Sequence, residues 1–322
     1  MDHTALDRAQ SGPQKIWFVL CALNERPNLE VLLPELLAVA DREGLDAHVV
    51  VVDDGSTDGT AQFVTRLGEG DSRVSVRRHP ANVGKSLALR TGFRLALAAD
   101  ADVIVMMDAD GQDDPAEVPL LLAKLADGAD LVTGARASRQ DRFVKRWTSK
   151  LYNAVTRFVS KTPGTDNNSG LKAMTPAVAR TLVPMLYGEF HRYLTVIAYR
   201  RGFQIDEVAV SHRPRSHGNS KYGVARFWRG FVDLFSIRLL LDYERRPSHL
   251  FAGVGLITSA AGTVILVWML IDKIMGQSIG ARPLLTAGVL MFLAGLQLLF
   301  FGFLSELVVV GRQRDSAWSD DA

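Results

Sequence analysis

The chain has 322 residues, of which 48% are hydrophobic, and its formal net charge is +2. A charge balance this close to zero gives no support to a nucleic-acid-binding protein. The single cysteine, Cys21, excludes a disulfide framework, and its apolar surroundings predict a buried strand residue. The length allows one large domain or two smaller ones with a well-buried core.

Strands and helices are predicted to alternate along the first half of the chain. Residues 1–14 are polar, so we expect a short disordered leader and not a secretory signal. Apolar runs predict strands at residues 16–23, 47–52, 103–107 and 131–133, and residues 73–78 show a weaker strand pattern. A first helix is predicted with Asn28 as its cap. A second is predicted to open at residues 82–86 and end at about residue 99, and a third to run from residue 115 to about 126. This order is typical of an α/β protein with a mostly parallel sheet and helices on both faces.

A pair of carboxylates follows the predicted strand at residues 103–107. Asp108 and Asp110 stand at its carboxyl end, where open α/β sheets bind their ligands. Side chains two apart on extended backbone project the same way, so both could bind one hard cation. The alternative is a surface turn with Asp caps.

A second acidic cluster follows the strand at residues 47–52. Asp53 and Asp54 end that strand, and Glu25 follows the first strand. Carboxylates at this edge accept hydrogen bonds from base N–H groups and ribose hydroxyls, as in nucleotide-binding folds. The alternative is a strand-to-helix turn with a capping Ser or Asp. Beside the Asp108 and Asp110 pair, a site for a nucleotide diphosphate and a metal is the better explanation.

The Gly-Lys-Ser sequence at residues 84–86 is not a phosphate-binding P-loop. His79 stands where that loop requires glycine, and no G-x-G-x-x-G follows the first strand. Lys85 is nevertheless a candidate for binding the nucleotide.

Two long apolar runs near the end of the chain predict membrane spans. Residues 250–271 and 283–304 contain no charged residue, and each is long enough to cross a hydrocarbon core. We predict a transmembrane hairpin at residues 250–310, the alternative being a buried hairpin of a soluble protein. Arg238, Arg245 and Arg246 precede the first span, and Arg312 and Arg314 follow the second. The connecting loop contains only Lys273 and Arg282, and Asp272 offsets one of these charges. The positive-inside rule therefore places both chain ends in the cytoplasm, including a tail at residues 311–322.

The segment at residues 223–249 predicts amphipathic helices ahead of the first span. Apolar residues recur there at spacings of three and four among several arginines. We expect these juxtamembrane helices to lie in the headgroup layer of the lipid bilayer, the alternative being plain core helices.

Several motifs in chain order resemble one known family. They are Val51-Val-Asp53-Asp54-Gly-Ser-Thr-Asp58-Gly-Thr, Asp108-Ala-Asp110-Gly-Gln112, Gly134-Ala-Arg136, Asn167-Asn-Ser-Gly170-Leu-Lys172, Glu189-Phe-His191-Arg192-Tyr193 and Arg215-Ser-His-Gly218-Asn-Ser220-Lys221-Tyr222. From about residue 15 to 310 the chain resembles the family 2 glycosyltransferases, and more narrowly the polyprenyl-phosphate sugar transferases of the dolichol-phosphate mannose synthase type. It departs from them at Gly111, where Leu is usual, and at Ala135, where Ser is usual.

The resemblance implies a Rossmann-like GT-A catalytic domain at residues 15–222, a nucleotide-sugar donor and a polyprenyl-phosphate acceptor. The nucleotide-binding candidates are Glu25, Asp53, Asp54, Lys85 and Asp108. The candidate ligands of Mg²⁺ or Mn²⁺ are Asp108, Asp110 and Gln112. A lipid monophosphate is largely dianionic at neutral pH, so it needs positioning and charge screening more than a general base.

The side chains that could bind the acceptor phosphate are therefore basic or hydroxyl groups. They are Arg136, Arg146, Lys150, Arg215, Ser220 and Lys221. For Arg146 and Lys150, ordinary surface positions are the alternative. The candidate catalytic residues are Asp110, Arg136, Arg215 and Lys221.

These observations predict an inverting glycosyltransferase of the cytoplasmic (inner) membrane, multi-pass, with its catalytic domain in the cytoplasm. It would move a hexose-type sugar from a UDP- or GDP-sugar to a polyprenyl phosphate, for use in cell-envelope glycan or lipid modification. A processive polysaccharide synthase would carry Gln-x-x-Arg-Trp and more spans, which this sequence lacks. A non-catalytic nucleotide-sugar-binding membrane protein would be favoured by loss of an acid, yet Asp53, Asp108 and Asp110 are all present. The spans would also allow a homo-oligomer.

Overall fold

The computed structural model describes residues 14–136, 169–211, 213, 248–278 and 283–320. The chain divides into two compact units, Met1–Leu234 and Phe235–Ala322. The described strands and helices of the first unit are β1 (Lys15–Ala22), α1 (Arg26–Glu43), β2 (Asp46–Asp53), α2 (Thr60–Gly70), β3 (Val74–Arg78), α3 (Lys85–Ala98), β4 (Val103–Asp108), α4 (Val118–Ala126), β5 (Leu131–Arg136), β6 (Lys172–Met174), α5 (Pro176–Leu182), α6 (Leu194–Arg200) and β7 (Ile205–Val210). Short 3₁₀ helices lie at Pro115–Glu117, Val183–Met185 and Phe190–Tyr193. The second unit contains α7 (Ser248–Ile274) and α8 (Pro283–Asp320).

The strands of the first unit form one seven-stranded sheet in the order β3-β2-β1-β4-β6-β5-β7. Strand β1 is parallel to β2 and β4, β2 is parallel to β3, and β5 is parallel to β7. Of the described strands, only β6 runs antiparallel to its neighbours, β4 and β5. The predicted mostly parallel α/β sheet is therefore confirmed. The sequence did not predict β6, because three residues that include a lysine carry no clear strand periodicity.

Helices cover both faces of the sheet because successive side chains of a strand point to opposite faces. On one face, Phe18 and Leu20 of β1 belong to the same buried cluster as Leu29 and Leu33 of α1. On the other face, α3 approaches the sheet closely at Gly92, where an added Cβ would lie 2.2 Å from Val19 Cγ1. Only glycine allows that approach without a shift of the helix or the strand.

Helix α1 begins earlier than predicted. Asn28 was expected to cap it, but the helix starts at Arg26, and Asn28 lies in its first turn. Pro27 permits this start, because the fixed φ of proline suits the first helical positions. The Asn28 side chain donates a 2.5 Å hydrogen bond to Glu25 Oε2. The predicted apolar face of α1 is confirmed, with Leu29, Leu32, Leu33, Leu36 and Leu37 all buried.

The register of the central strands brings the two acidic clusters to the same edge. Ala22 of β1 is aligned with Asp53 of β2, and Cys21 of β1 is aligned with Asp108 of β4. Asp53 and Asp108 therefore stand on either side of the β1 end, two strand spacings or roughly 10 Å apart.

Helices α7 and α8 of the second unit are long and apolar enough to cross a membrane, at Phe251–Ile274 and Pro283–Val308. Only 17% and 11% of their most apolar windows are buried, whereas a core helix of a soluble protein would be mostly buried. The first helix agrees closely with the predicted span at 250–271. The second continues beyond it to Asp320, so it includes most of the segment predicted as a tail.

A glycine seam joins α7 to α8. Gly255 and Gly262 of α7 are seven residues apart, as are Gly288 and Gly295 of α8, so each pair lies on one face of its helix. A Cβ on Gly255 would lie 2.7 Å from Gly295 O, and one on Gly262 would lie 2.8 Å from Gly288 O. Small residues of this kind let two helix backbones approach closely in a bilayer. The large apolar side chains are left exposed on the other faces.

Candidate active site

Asp53, at the end of β2, is a fully buried carboxylate, and among the described residues one of its oxygens accepts no hydrogen bond. Its Oδ1 accepts a 2.8 Å hydrogen bond from the Ser56 amide, which closes the turn after the strand. Its Oδ2 lies 3.5 Å from Arg78 Nε and has no hydrogen-bond partner in the part of the chain that the structure describes. Asp53 Oδ2 therefore has an ion pair with Arg78 but no hydrogen bond from a described residue, and a ligand N–H or O–H that displaces the exposed Arg78 side chain can supply one.

Asp54, the next residue, is also buried, but its carboxylate has three partners within the protein. It accepts hydrogen bonds from the amides of Val83 and Gly84, at 3.0 and 2.8 Å, and lies 2.9 Å from His79 Nδ1. The other ring nitrogen of His79 contacts Thr91 Oγ1 of α3 at 3.1 Å. Asp54 therefore holds the loop before α3. It was predicted to bind the nucleotide, and the structure directs its oxygens to this loop.

The loop that is bonded to Asp54 places Lys85 at the end of β4. Gly84 has a φ of 95°, which favours glycine, and Lys85 begins α3 directly after it. The Lys85 Nζ forms an ion pair with Asp108 Oδ1. Each of the two side chains is about one-third exposed. The structure thus brings together two predicted site residues that are 23 positions apart.

Other cations act on Asp108 as well. Burial raises the pKa of Asp108, but Lys85 lowers it, with His191 and Lys172 adding to that effect, and the net pKa lies below the usual value. For Lys85, burial lowers the pKa, yet the Asp108 carboxylate outweighs burial and raises it. Both groups are therefore charged at neutral pH. Burial also raises the pKa of Cys21 to about 12, so this thiol is protonated and is not a nucleophile.

Lys172 and His191 reach this site from distant parts of the sequence. Lys172, on β6, is 1% exposed, and its Nζ donates a 2.9 Å hydrogen bond to Ser169 O. His191 Nδ1 lies 3.0 Å from Ser86 Oγ, which also accepts the His191 amide at 3.1 Å. From the sequence alone, His191 could border the acceptor, whereas Lys172 has no assigned role in the site. The sequence feature that could have identified Lys172 is its position as the one charged residue in a short apolar run, from Leu171 to Met174.

Gly170 packs directly against the Asp108 carboxylate. A Cβ at this position would lie 2.6 Å from both Cγ and Oδ2 of Asp108, and 2.9 Å from Asp113 Oδ2. Asp113 is buried, and its Oδ2 lies 3.4 Å from the Asp108 amide. The absence of a side chain at Gly170 therefore leaves room for Asp108.

Asp110 and Gln112 lie on the loop after β4. Asp110 Oδ1 accepts the Gln112 amide at 3.2 Å. The Gln112 carbonyl accepts the Arg213 amide at 2.9 Å, and its side-chain amide lies 3.5 Å from Arg213 O. The Arg213 guanidinium pairs with Glu35 at 2.6 Å and with Asp114 at 2.8 Å. Gln112, predicted as a metal ligand, thus also ties the acidic loop to the chain at residue 213.

The remaining predicted residues are less fully described. Glu25 Oε2 accepts the Asn28 side chain at the start of α1. Arg136 ends β5, where it is paired with Val210, and its side chain is not described. The others lie outside the described residues: Arg146, Lys150, Arg215, Ser220 and Lys221. The same holds for most of the predicted juxtamembrane helices and for residues 1–13 of the predicted leader. Among the described residues, no three side chains of His, Cys, Asp or Glu form a metal-binding group.

Sequence comparison relates the chain to enzymes that use lipid phosphates. A model of glycosyl transferase family 2 matches residues 17–190. A dodecaprenyl-phosphate galacturonate synthase of Rhizobium johnstonii is 33% identical over 279 residues, or 84% of this chain and 80% of that protein. An undecaprenyl-phosphate 4-deoxy-4-formamido-L-arabinose transferase of Aeromonas hydrophila is 29% identical over 296 residues, or 90% of this chain and 87% of that protein.

Structure comparison identifies the fold. The glucosyl-3-phosphoglycerate synthase of Mycobacterium tuberculosis, in complex with Mn²⁺, UDP-glucose and phosphoglyceric acid, superposes with a TM-score of 0.52 at 22% identity, covering 72% of this chain and 82% of that one. The mannosyl-3-phosphoglycerate synthase of Rubrobacter xylanophilus gives a TM-score of 0.53 at 15% identity, covering 74% and 78%. The predicted GT-A fold is confirmed by these likenesses.

Proposed function

Because the chain belongs to glycosyl transferase family 2, and within it to the polyprenyl-phosphate sugar transferases, we propose that it transfers a sugar from a UDP- or GDP-sugar to a polyprenyl phosphate. In this reaction an acceptor phosphate oxygen bonds to the anomeric carbon as the bond from that carbon to the nucleoside diphosphate breaks, with inversion. The observation that carries the proposal is the pair of carboxylates on either side of the β1 end, the buried Asp53 and the partly exposed Asp108.

Asp53 is well suited to the nucleoside of the donor. Its Oδ2, which accepts no hydrogen bond from the described residues, can accept one from a base N–H or a ribose hydroxyl that displaces Arg78. Asp54, one residue on, supports this site indirectly by holding the loop that begins α3. We assign the nucleoside to Asp53 with Glu25 near it, and the diphosphate to the region of Lys85 and Asp108.

A divalent cation fits the end of β4. Asp108 and Asp110 provide the hard oxygen ligands that Mg²⁺ and Mn²⁺ prefer, and such ions usually combine one or two carboxylates with substrate phosphates. The Lys85 ammonium on Asp108 is consistent with this, because it shows that the carboxylate already attracts a cation. When bound, the ion would neutralise charge on the departing nucleoside diphosphate. The solved structure with Mn²⁺ and UDP-glucose on the same fold supports a metal.

The acceptor phosphate needs cations, and Arg136 at the end of β5 is one candidate for binding it. Arg146, Lys150, Arg215, Ser220 and Lys221 remain predictions for the same task. The name of the Rhizobium johnstonii relative supports a uronic acid among the sugars to be tested, so UDP-galacturonic acid is the first donor to try.

We further propose that α7 and α8 anchor the enzyme in the cytoplasmic membrane with its catalytic unit in the cytoplasm. Their apolar, exposed side chains support membrane insertion. The distribution of arginines outside the hairpin supports this orientation.

A transfer assay tests the proposed function. The purified full chain in detergent is incubated with undecaprenyl phosphate, Mn²⁺ and one radiolabelled nucleotide sugar at a time, and label extracted into chloroform is counted. We expect lipid-linked label with one donor and its loss with excess EDTA, restored by Mg²⁺ or Mn²⁺. Label in long water-soluble polymer would instead identify a polysaccharide synthase. Donor binding without transfer to any acceptor would identify a non-catalytic binding protein.

A further inference from the structure

The ion pair between Lys85 and Asp108 places a protein cation on a carboxylate that the proposed function assigns to a divalent ion. The position of the Lys85 backbone is fixed, because Asp54 binds the amides of Val83 and Gly84 just before it. The lysine side chain itself is flexible and about one-third exposed, so its ammonium can move to another anion nearby.

The surroundings of Asp108 add further positive charge. Lys172 is buried on β6, and its ammonium acts electrostatically on Asp108. His191, anchored by Ser86 of α3, acts on it in the same direction. Asp113 and Asp110 supply negative charge on the loop after β4. A bare divalent cation that reaches Asp108 must therefore compete with the Lys85 ammonium for the carboxylate, and the Lys172 ammonium adds to the repulsion.

A nucleoside diphosphate changes this balance. It brings two or three negative charges and several phosphate oxygens, each of which can accept the Lys85 ammonium. Once the ammonium has moved to a phosphate oxygen, both oxygens of Asp108 are available for the divalent ion. The repulsion is then offset by the diphosphate itself.

We propose that Lys85 makes the divalent cation and the nucleoside diphosphate bind together: its ammonium occupies Asp108 in the empty enzyme and passes to the diphosphate when both ligands enter. This inference rests on the proposed function and deepens it. Lys85 is thereby a residue that disfavours binding of the metal alone, in addition to being a ligand of the donor.

The experiment measures Mn²⁺ binding, with no sugar transfer involved. Free Mn²⁺ is followed by electron paramagnetic resonance during titration of the detergent-purified full chain, without nucleotide and then with UDP or GDP. For the wild type we expect the nucleotide to tighten Mn²⁺ binding at least tenfold. For Lys85→Gln we expect Mn²⁺ binding without nucleotide to tighten about tenfold, and to change less with nucleotide present, because the ammonium then pairs with phosphate.

Two variants serve as controls. Lys85→Arg keeps the positive charge and, without nucleotide, should bind Mn²⁺ more weakly than Lys85→Gln does. Lys124→Gln removes the same charge from an exposed lysine that pairs with Asp206 at 3.5 Å, away from the proposed site, and should leave Mn²⁺ binding unchanged. Thermal unfolding of each variant verifies its fold, and the wild-type comparison with and without nucleotide tests the inference even where a variant does not fold.

The inference is overturned if wild-type Mn²⁺ binding is equally tight with and without UDP and GDP. It is also overturned if a folded Lys85→Gln variant binds Mn²⁺ alone no more tightly than the wild type. Either result leaves the proposed function intact when sugar transfer is observed. If no Mn²⁺ binds under any condition and no donor is transferred, the proposed function itself fails.

Discussion

The ends of β2 and β4 carry the same residue type at the same edge of the sheet, yet their partners differ. Asp54, after β2, is bonded to the amides of Val83 and Gly84, which are part of the backbone and cannot leave without unfolding the loop. Asp108, at the end of β4, is paired with an ammonium on a flexible side chain. A carboxylate bonded to amides fixes a shape, whereas one paired with a movable cation can exchange it for a ligand.

The first prediction tests the chemical side of this comparison and has the largest expected effect. Asp108→Asn removes the charge that would bind the divalent ion, so we expect sugar transfer to fall about 10²- to 10³-fold, as for loss of a preorganised electrostatic group. The thermal unfolding midpoint should change little, because Asp108 is partly exposed. Transfer is measured with radiolabelled donor at saturating Mn²⁺. Activity near the wild-type level would remove Asp108 from the reaction.

The second prediction tests the structural side. Asp54→Ala leaves two amides and His79 without their acceptor, which costs about 2–3 kcal/mol. For a unit of this size we expect the thermal unfolding midpoint to fall by roughly 5–10 °C. The Asp54→Asn variant keeps one acceptor oxygen, so its thermal unfolding midpoint should fall by less. An unchanged midpoint combined with lost affinity for UDP or GDP would mean that Asp54 touches the nucleotide, as the sequence predicted.

The third prediction concerns a substitution that moves the Asp108 carboxylate without removing its charge. Gly170→Ala would place a Cβ 2.6 Å from the Asp108 carboxylate, so the carboxylate must shift. We expect about tenfold weaker binding of Mn²⁺ together with UDP or GDP, since displacements below 1 Å have effects of this order or larger. Gly70→Ala is the matched control, because nothing lies within 4 Å of a Cβ there. Equal binding by the Gly170→Ala and wild-type proteins would contradict the assigned position of Asp108.

The smallest expected effect is a pH dependence at the β2 end. Burial raises the pKa of Asp58, but hydrogen bonds from the Thr60 hydroxyl and the amides of Arg26 and Thr60 outweigh it, and the net pKa is lowered. The stability that Asp58 provides is therefore present above its unfolded pKa, about 4, and is lost as the pH falls through the lower folded value. Asp58→Asn should lower the unfolding midpoint at pH 7 and have less effect at pH 3. Equal effects at both pH values would contradict this linkage.

Much of the site could be predicted from local patterns. The apolar runs before Asp53 and Asp108 predicted two strands, and the carboxyl ends of parallel strands meet at one edge of a sheet. The two apolar helices were predicted from length and composition, because a bilayer requires about 20 apolar residues of any order. These features depend on residues that are close together in the sequence.

The partners of the carboxylates could not be predicted in the same way. Asp54 had the same nucleotide-binding prediction as Asp53, and only the folded structure shows that Asp54 is bonded to the loop at residues 82–84 whereas Asp53 is bonded to the Ser56 amide. Lys172 reaches Asp108 because the unpredicted strand β6 pairs with β4. Such contacts join positions far apart in the sequence, and no local pattern encodes which side chain fills a given space.

The sequence by itself therefore determined the α/β class, the family, the two acidic strand ends and the two apolar helices, because each follows from a local pattern or from motifs in order. The tertiary structure decided that Asp54 holds a loop, that Asp108 is paired with Lys85, and that Gly170 makes room for Asp108. These depend on distances between segments that meet only when the sheet forms, and electrostatic and steric effects change steeply over a few ångströms.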